Sequence, residues 1–522
     1  MLAKLSCATI DGISAIPVNI EVDVTPSRAD FAGVRMTIVG LPDNSVKESH
    51  SRIESALINT GFRLPNASIT VNLAPGDIRK EGSGFDLPIA LGVLMANGFV
   101  GVSDFRHYMV LGELGLDGTL QPIRGALPIA IKAQQLGYEG IIVPQQNVRE
   151  AAVVNGLRVF GATSLSQIVD FLNGTPDALL PVNPDSLEQF SDGHTASDLD
   201  FADVRGQHAV KRAFEVAAAG SHNILLVGPP GSGKSMMARR LPGILPPLTH
   251  SESLETTQIH SVAGLLSNGS GLVTQRPFRS PHHTVSQVGL AGGTGQAKPG
   301  EVSLAHNGVL FLDELTEFNR STLEILRQPL EDRKISITRA QYSVEYPCSF
   351  MLVASMNPCP CGYYGDATHR CTCTPGQITR YLSKISGPLL DRIDLHCEIQ
   401  AVPFAQLSTM QPGESSAAIR ERVVRARQIQ QQRFQAIPNV HCNAQMSEKM
   451  VHQFAEPDAS SLEMLRIAME RLKLSARAYN RILKVARTIA DLEGSEKVQS
   501  HHIAEAIGYR NLDRSDWAER GF

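Results

Sequence analysis

"NILLVGPPGSGKSMMARRL", residues 223–241, decides the fold. An apolar run enters a glycine-rich turn, and helix-forming residues follow at once. Strand, loop and helix in that order, carrying G-x-x-x-x-G-K-[ST], make a phosphate loop. Its glycines let main-chain N–H groups curl around phosphate, and the helix N-terminus adds its dipole. The spacing predicts a cradle of Gly228, Pro229, Pro230, Gly231, Ser232 and Gly233. Lys234 is placed to reach the β- and γ-phosphates of ATP, and Ser235 to bind Mg²⁺.

Downstream, "GVLFLDEL" (308–315), "SFMLVASMN" (349–357) and "IDLHCEI" (393–399) are further wholly apolar runs. Strands without alternation suit a parallel sheet covered on both faces. Asp313 and Glu314 end the first run, where paired acids are costly unless they serve metal or water. Asp313 suits Mg²⁺, and Glu314 suits activation of the attacking water. Asn357 ends the next strand at the same sheet edge, where a neutral amide can hold that water. In "GPLLDRIDLH" Arg392 stands among apolar residues, as either an arginine finger or an ordinary ion-pair partner. "SARAYNRIL" puts Arg477 and Arg481 one helical turn apart, and either can meet nucleotide.

"NPCPCGYYGDATHRCTC", residues 357–373, holds two Cys-x-Cys pairs. Cys359, Cys361, Cys371 and Cys373 can close a tetrahedral thiolate site around structural Zn²⁺, with His369 as a substitute ligand. A loop so rich in glycine and polar residues cannot order itself by apolar burial, whereas a metal orders it.

With 522 residues the chain exceeds one core, and about two to four domains are expected. Net charge is −4, so nucleic-acid affinity must come from local patches rather than global charge. The first residues show no signal-peptide pattern, and the apolar stretch at 87–102 is too short to span a bilayer. A cytoplasmic protein without membrane partners is expected, where disulfides are disfavoured. Residues 1–175 alternate strand-like runs ("SITVNLAP", "YMVLGEL", "EGIIVP") with helical ones. Residues 176–200 are polar and acidic, a linker. An ATPase core follows at 201–402 with the cysteine insertion at 357–373, and then an arginine-rich helical unit at 403–522.

"FADVRGQ", "GPPGSGKS", "VLFLDEL", "ASMNPCPCG", "LLDRIDL" and "SARAYNRILKVARTIADL" resemble the magnesium-chelatase-like AAA+ ATPases. Across its length the chain is similar to the ComM/YifB family of bacterial competence proteins. The resemblance implies an α/β fold, with an AAA+ core between a Lon-protease-like (ribosomal S5 domain 2-like) α+β domain and a C-terminal helical lid. It further implies a homohexameric ATPase that drives branch migration while single-stranded DNA is integrated during natural transformation. Partners are then single-stranded and branched DNA, with recombination proteins beside them. By motif, Arg392 becomes the finger and Arg477 the second sensor, leaving Arg481 to packing or the pore.

The same resemblance makes "EDRKISITRAQYSVEYP" (331–347) a pore hairpin, with Lys334 and Arg339 on DNA phosphates. "RPFRSPHH" (276–283) reads as a loop facing the same pore, where Arg276, Phe278 and Arg279 suit unpaired bases. Two rival functions remain. One is a chelatase-type motor remodelling a protein partner. The other is a Lon-type protease, disfavoured because Gly84 and Leu127 stand where the serine and lysine of a dyad would be, with Ser83 and Lys132 displaced from those places.

Overall fold

The computed structural model describes residues 2–26, 34–101, 107–182, 199–266, 271–293, 297–339, 342–366, 369–401, 413–437, 440–472 and 474–510. The chain divides into two compact units. One comprises Met1–Gly193, His250–Thr274 and Ala297–Pro299, and the other His194–Thr249, Gln275–Gln296 and Gly300–Phe522.

The first unit is built on β1 (Leu2–Asp11), β2 (Ser14–Pro26), β3 (Val34–Val39), β4 (Ala67–Ala74), β5 (Tyr108–Val110), β8 (Gly140–Pro144) and β9 (Arg158–Ala162). A separate short pair, β6 (Glu113–Leu114) and β7 (Leu120–Gln121), is antiparallel. The large sheet runs β3-β4-β2-β1-β5-β8-β9. Its β4-β2-β1 centre is antiparallel, and its β5-β8-β9 arm is parallel. Alternation in β4 (buried Ala67, Ile69, Val71 and Leu73) gives one packed face, while β8 is buried throughout. All eleven residues of helix Asp86–Ala96 are buried, so residues 87–96 of the apolar run lie in a core. Buried Asp86 is held by both nitrogens of the Arg52 fork, at 2.7 and 2.9 Å.

The ATPase stretch at 201–402 is interrupted. Helix His250–Ala263 belongs to the first unit, where it packs on helix Ala126–Gln135. There the Ser261 hydroxyl donates to the buried Glu150 carboxylate, and Gly125 N–H donates to Ser261 O at 3.3 Å. The expected linker lies outside the described residues at 183–198. On its flanks Pro181 bridges Phe160, and Asp200 caps the turn Phe201–Asp203.

The second unit contains β10 (Ile224–Val227), β11 (Phe278–Arg279), β12 (Val309–Leu312), β15 (Met351–Met356) and β16 (Leu395–Glu398). They form one parallel sheet ordered β11-β12-β15-β10-β16. A two-stranded antiparallel hairpin, β13 (Lys334–Arg339) with β14 (Tyr342–Pro347), is separate from it. Helices Ser416–Phe434 and Ala476–Leu492 pack on helix His208–Gly220 and share one hydrophobic core with the sheet. The join is polar as well: Asp200 accepts from Ser416 N–H at 2.8 Å, and the Ser416 hydroxyl accepts from Phe201 N–H at 2.8 Å. No described helix is long and apolar enough to cross a membrane.

Candidate nucleotide site and cysteine cluster

Strand register assembles the site. β15 lies between β12 and β10, pairing Leu312 with Ala354 and Val227 with Met356. One step further, Asp313 comes beside Ser355 and Gly228 beside Asn357. All lie at the carboxyl edge of parallel strands, where open α/β sheets take their ligands. In the phosphate loop Gly231 (φ 76°) and Gly233 (φ 91°) adopt the left-handed conformation that only glycine accepts freely. Lys234 begins the helix Lys234–Arg240.

The Lys234 ammonium donates to Gly228 O (2.7 Å), Pro229 O (2.9 Å) and Asn357 Oδ1 (3.2 Å). Burial lowers its pKa, against the opposing pull of Asp313 and Glu314. Ser235 Oγ donates to Asp313 Oδ2 at 2.7 Å, so the two oxygens expected on Mg²⁺ already adjoin. The other Asp313 oxygen is bonded by the buried Ser355 hydroxyl. Glu314 takes a left-handed backbone (φ 54°), a strain of about 1–2 kcal/mol for a residue with a Cβ. Its side chain is exposed and lies 3.7 Å from His283 Nδ1. This arrangement suits a base that faces water while its neighbour is fixed for metal.

Arg392 is elsewhere in the same unit and only 7% exposed. Its guanidinium bonds Glu331 and Pro388 O. Arg477 is exposed, and with Arg481 it adds to the positive field that lowers the Glu331 pKa, the Arg392 bond being the largest cause. Arg481 itself pairs with buried Asp394, which is a packing role.

Three residues expected on DNA have partners within the protein. Arg276 is a clamp, donating to Pro246 O (2.7 Å), Asn307 O (2.7 Å) and Pro247 O (3.1 Å). Arg279 forms a two-pronged pair with Glu301, at 2.7 Å on each arm. Phe278 is in strand β11 rather than a loop, with its ring 6.0 Å from that of Phe311. The arginine donors meet the protein's own acceptors, and Phe278 packs beside Phe311. The hairpin forms as expected, but Lys334 sits at its base, paired with Glu345 at 2.7 Å. That pair is exposed to solvent on both sides and is therefore screened. Arg339 is at the other end of the strand, and its side chain lies outside the described residues.

The four cysteines converge. Cys359 Sγ lies 3.3 Å from Cys361 Sγ and 3.7 Å from Cys371 Sγ, and Cys361 lies 3.5 Å from Cys371. Cys373 completes the group, all four Sγ lying within 4.8 Å of one another. Metal–sulfur bonds of about 2.3 Å put tetrahedral sulfurs just under 4 Å apart, so the donors fit Zn²⁺. Main-chain N–H groups of Cys361 and Cys373 point at Cys373 Sγ and Cys371 Sγ, each at 3.4 Å. Burial raises Cys361, but N–H groups of Tyr363 and Thr372 outweigh it and bring its pKa to about 6. The other three are pushed up, first by burial and then by the neighbouring cysteines. His369 is not in the group; its ring stacks on Tyr363 at 4.8 Å.

Comparison with known proteins agrees along the whole chain. "Magnesium chelatase, subunit ChlI" matches residues 200–407, "Subunit ChlI of Mg-chelatase" residues 20–147, and its C-terminal description residues 413–510. Competence protein ComM of Haemophilus influenzae is 44% identical, over 96% of both chains. The chain belongs to the magnesium-chelatase-like ComM/YifB family. The uncharacterized protein YifB of Escherichia coli is 42% identical, again over 96% of both chains. A part of the chain, 28% of it, is 32% identical to 27% of Lon protease 2 of Bacillus subtilis.

Ser355, His283, Glu331, Thr316 and Tyr381 are residues around the site for which the sequence motifs assign no role there. Only Ser355 carried a signal: it stands two residues before Asn357 on the strand beside Asp313.

Proposed function

We propose that this chain is an ATP-hydrolysing homohexameric motor that moves branched DNA while single-stranded DNA is integrated in natural transformation. The observation that carries the ATPase half is the convergence of Lys234, Ser235, Asp313 and Asn357 on the glycine-rich phosphate loop. The DNA half rests on the competence relative and on hairpin β13–β14, one face of which, with Lys334, Thr338 and Glu345, is exposed. In this reading Lys234 and the loop amides hold the phosphates, Ser235 and Asp313 hold Mg²⁺, and Glu314 deprotonates water kept by Asn357. Arg392 and Arg477 act on the nucleotide of a neighbouring subunit, so Arg392 must leave Glu331 on assembly. Lys334 and Arg339 meet DNA phosphates. Zn²⁺ holds the loop of Cys359, Cys361, Cys371 and Cys373.

The first unit serves as a Lon-like scaffold, not a peptidase. Ser83 bonds Glu113, Lys80 is spent on Pro75 O and Ile78 O, and Leu127 is wholly buried. The helices after residue 413 act as the lid, and recombination proteins are further partners in the cytoplasm.

One observation favours a second reading. The matched descriptions name a chelatase subunit, and Arg276 and Arg279 are engaged by Asn307 O and Glu301, as a motor remodelling a protein partner allows. ATP hydrolysis measured with and without single-stranded and branched DNA separates the two. Stimulation by DNA supports the first reading, and indifference to DNA supports the second.

A further inference from the structure

The cysteine loop does more than hang from the end of β15. Its stretch from Asn357 to Tyr381 touches the nucleotide site at three places. At its start, the Asn357 amide oxygen accepts from Lys234 at 3.2 Å, two residues before Cys359. In its middle, Gly362 follows Cys361 directly and bonds back to Cys359 O at 3.0 Å. Gly362 presses against the phosphate loop so closely that a Cβ there would meet Pro230 Cδ at 2.6 Å and Cγ at 2.8 Å. Its φ of 87° is also one that side chains rarely take. At its end, helix Pro375–Leu382 carries Tyr381, whose hydroxyl accepts from Thr316 Oγ1 at 2.6 Å and from the Asn357 main chain. Thr316 stands two residues after Glu314 and is buried.

Cys359 and Cys361 therefore lie in the turn that seats Gly362 on Pro230, and Cys371 and Cys373 lead into the helix that holds Thr316. Outside these contacts the loop exposes polar residues and has little apolar surface to keep it in place. We propose that a soft divalent cation of the Zn²⁺ type on Cys359, Cys361, Cys371 and Cys373 is a control element for nucleotide binding, seating the loop against the phosphate loop when bound and releasing it when lost. ATP affinity is then set by two metals, Mg²⁺ at Ser235 and Asp313 and a thiolate-bound ion beside Pro230. The inference rests on the ATP-site reading above and adds regulation to it.

The test uses the full chain and two readouts, bound metal and affinity for a fluorescent ATP analogue with Mg²⁺. Zinc released by a mercurial reagent is counted with a chromophoric chelator, and the reagent is then removed with excess thiol. Binding is measured on the loaded protein, on the stripped protein, and after Zn²⁺ is returned. Loaded protein is expected to hold one ion per chain. Stripping should weaken the analogue at least about tenfold, and Zn²⁺ should restore it. Gly362→Ala guards against a merely unfolded apoprotein: it should keep its metal and its circular dichroism yet bind the analogue about tenfold more weakly, since the added Cβ strains the turn and displaces Pro230. A chain that holds no metal when prepared without chelator, or a folded stripped protein that binds nucleotide as tightly as the loaded one, overturns the proposal and leaves the ATP site standing. Loaded wild type that binds the analogue no better than Lys234→Ala overturns the ATP-site reading and this inference together.

Discussion

The Ser235 hydroxyl donates to the Asp313 carboxylate across 2.7 Å, linking the helix after the phosphate loop to a strand two places away in the sheet. Ser355, on the strand between, holds the other carboxylate oxygen. Two hydroxyls thus fix the carboxylate proposed as the Mg²⁺ ligand, and preorganisation of this kind favours ion binding without rearrangement.

Changes at this edge should separate binding from chemistry. Lys234→Ala should abolish ATP binding. Glu314→Gln should keep binding and lose hydrolysis, trapping assembled rings because ATP that bridges subunits stabilises them by mass action. Calorimetry and phosphate release check both. Hydrolysis by Glu314→Gln at the wild-type rate would remove Glu314 as the base.

Ser355→Ala should raise the Mg²⁺ concentration needed for half-maximal hydrolysis by about 10- to 100-fold, the usual effect of losing a partner behind a metal ligand. A Mg²⁺ titration of ATPase rate reads this. An unchanged Mg²⁺ requirement would mean that Asp313 is held well enough by Ser235 alone.

Arg392 and Glu331 give an assembly prediction. Arg392→Ala should leave nucleotide affinity of the isolated subunit intact and slow hydrolysis in the ring by roughly a thousandfold. Mixed with wild type, it should poison activity beyond its share of subunits. Glu331→Gln should free the guanidinium and lower the protein concentration at which ATPase activity appears. Loss in strict proportion to the Arg392→Ala fraction would show that this arginine acts within its own subunit.

Lys484 supplies a pH prediction. Burial lowers its pKa from 10.5 to about 8, against the pull of Asp394. The unfolded chain therefore holds this proton more tightly, and stability rises with pH between the two values. Wild type should gain thermal stability relative to Lys484→Met from pH 8 to about 10. A relative loss over that range would contradict the burial.

Much of the nucleotide site is legible because its signals are local. The phosphate loop is one contiguous motif, and strands of a doubly covered parallel sheet read as unbroken apolar runs. The cysteine cluster is legible for the same reason, with its four donors falling within fifteen residues, 359–373. Long-range partners are not legible. Arg276 and Arg279 look available for DNA in sequence, but the acceptors that engage them, Pro246, Asn307 and Glu301, are 22–31 residues away. Helix His250–Ala263 reads as part of the ATPase because nothing in its own residues announces that Ser261 will bond Glu150, 111 residues back. The register that puts Ser355 on Asp313 likewise exists only once β12 and β15 pair.

In the proposed function, ATP hydrolysis at Lys234, Asp313 and Glu314 drives movement of DNA through hairpin β13–β14. A three- or four-stranded oligonucleotide junction incubated with protein, ATP and Mg²⁺ tests it most directly. Wild type should resolve the junction by branch migration regardless of sequence, less well as salt rises. Lys334→Ala with Arg339→Ala should keep basal ATPase and leave the junction unmoved. Wild type that hydrolyses ATP beside such junctions and never moves them would contradict the account.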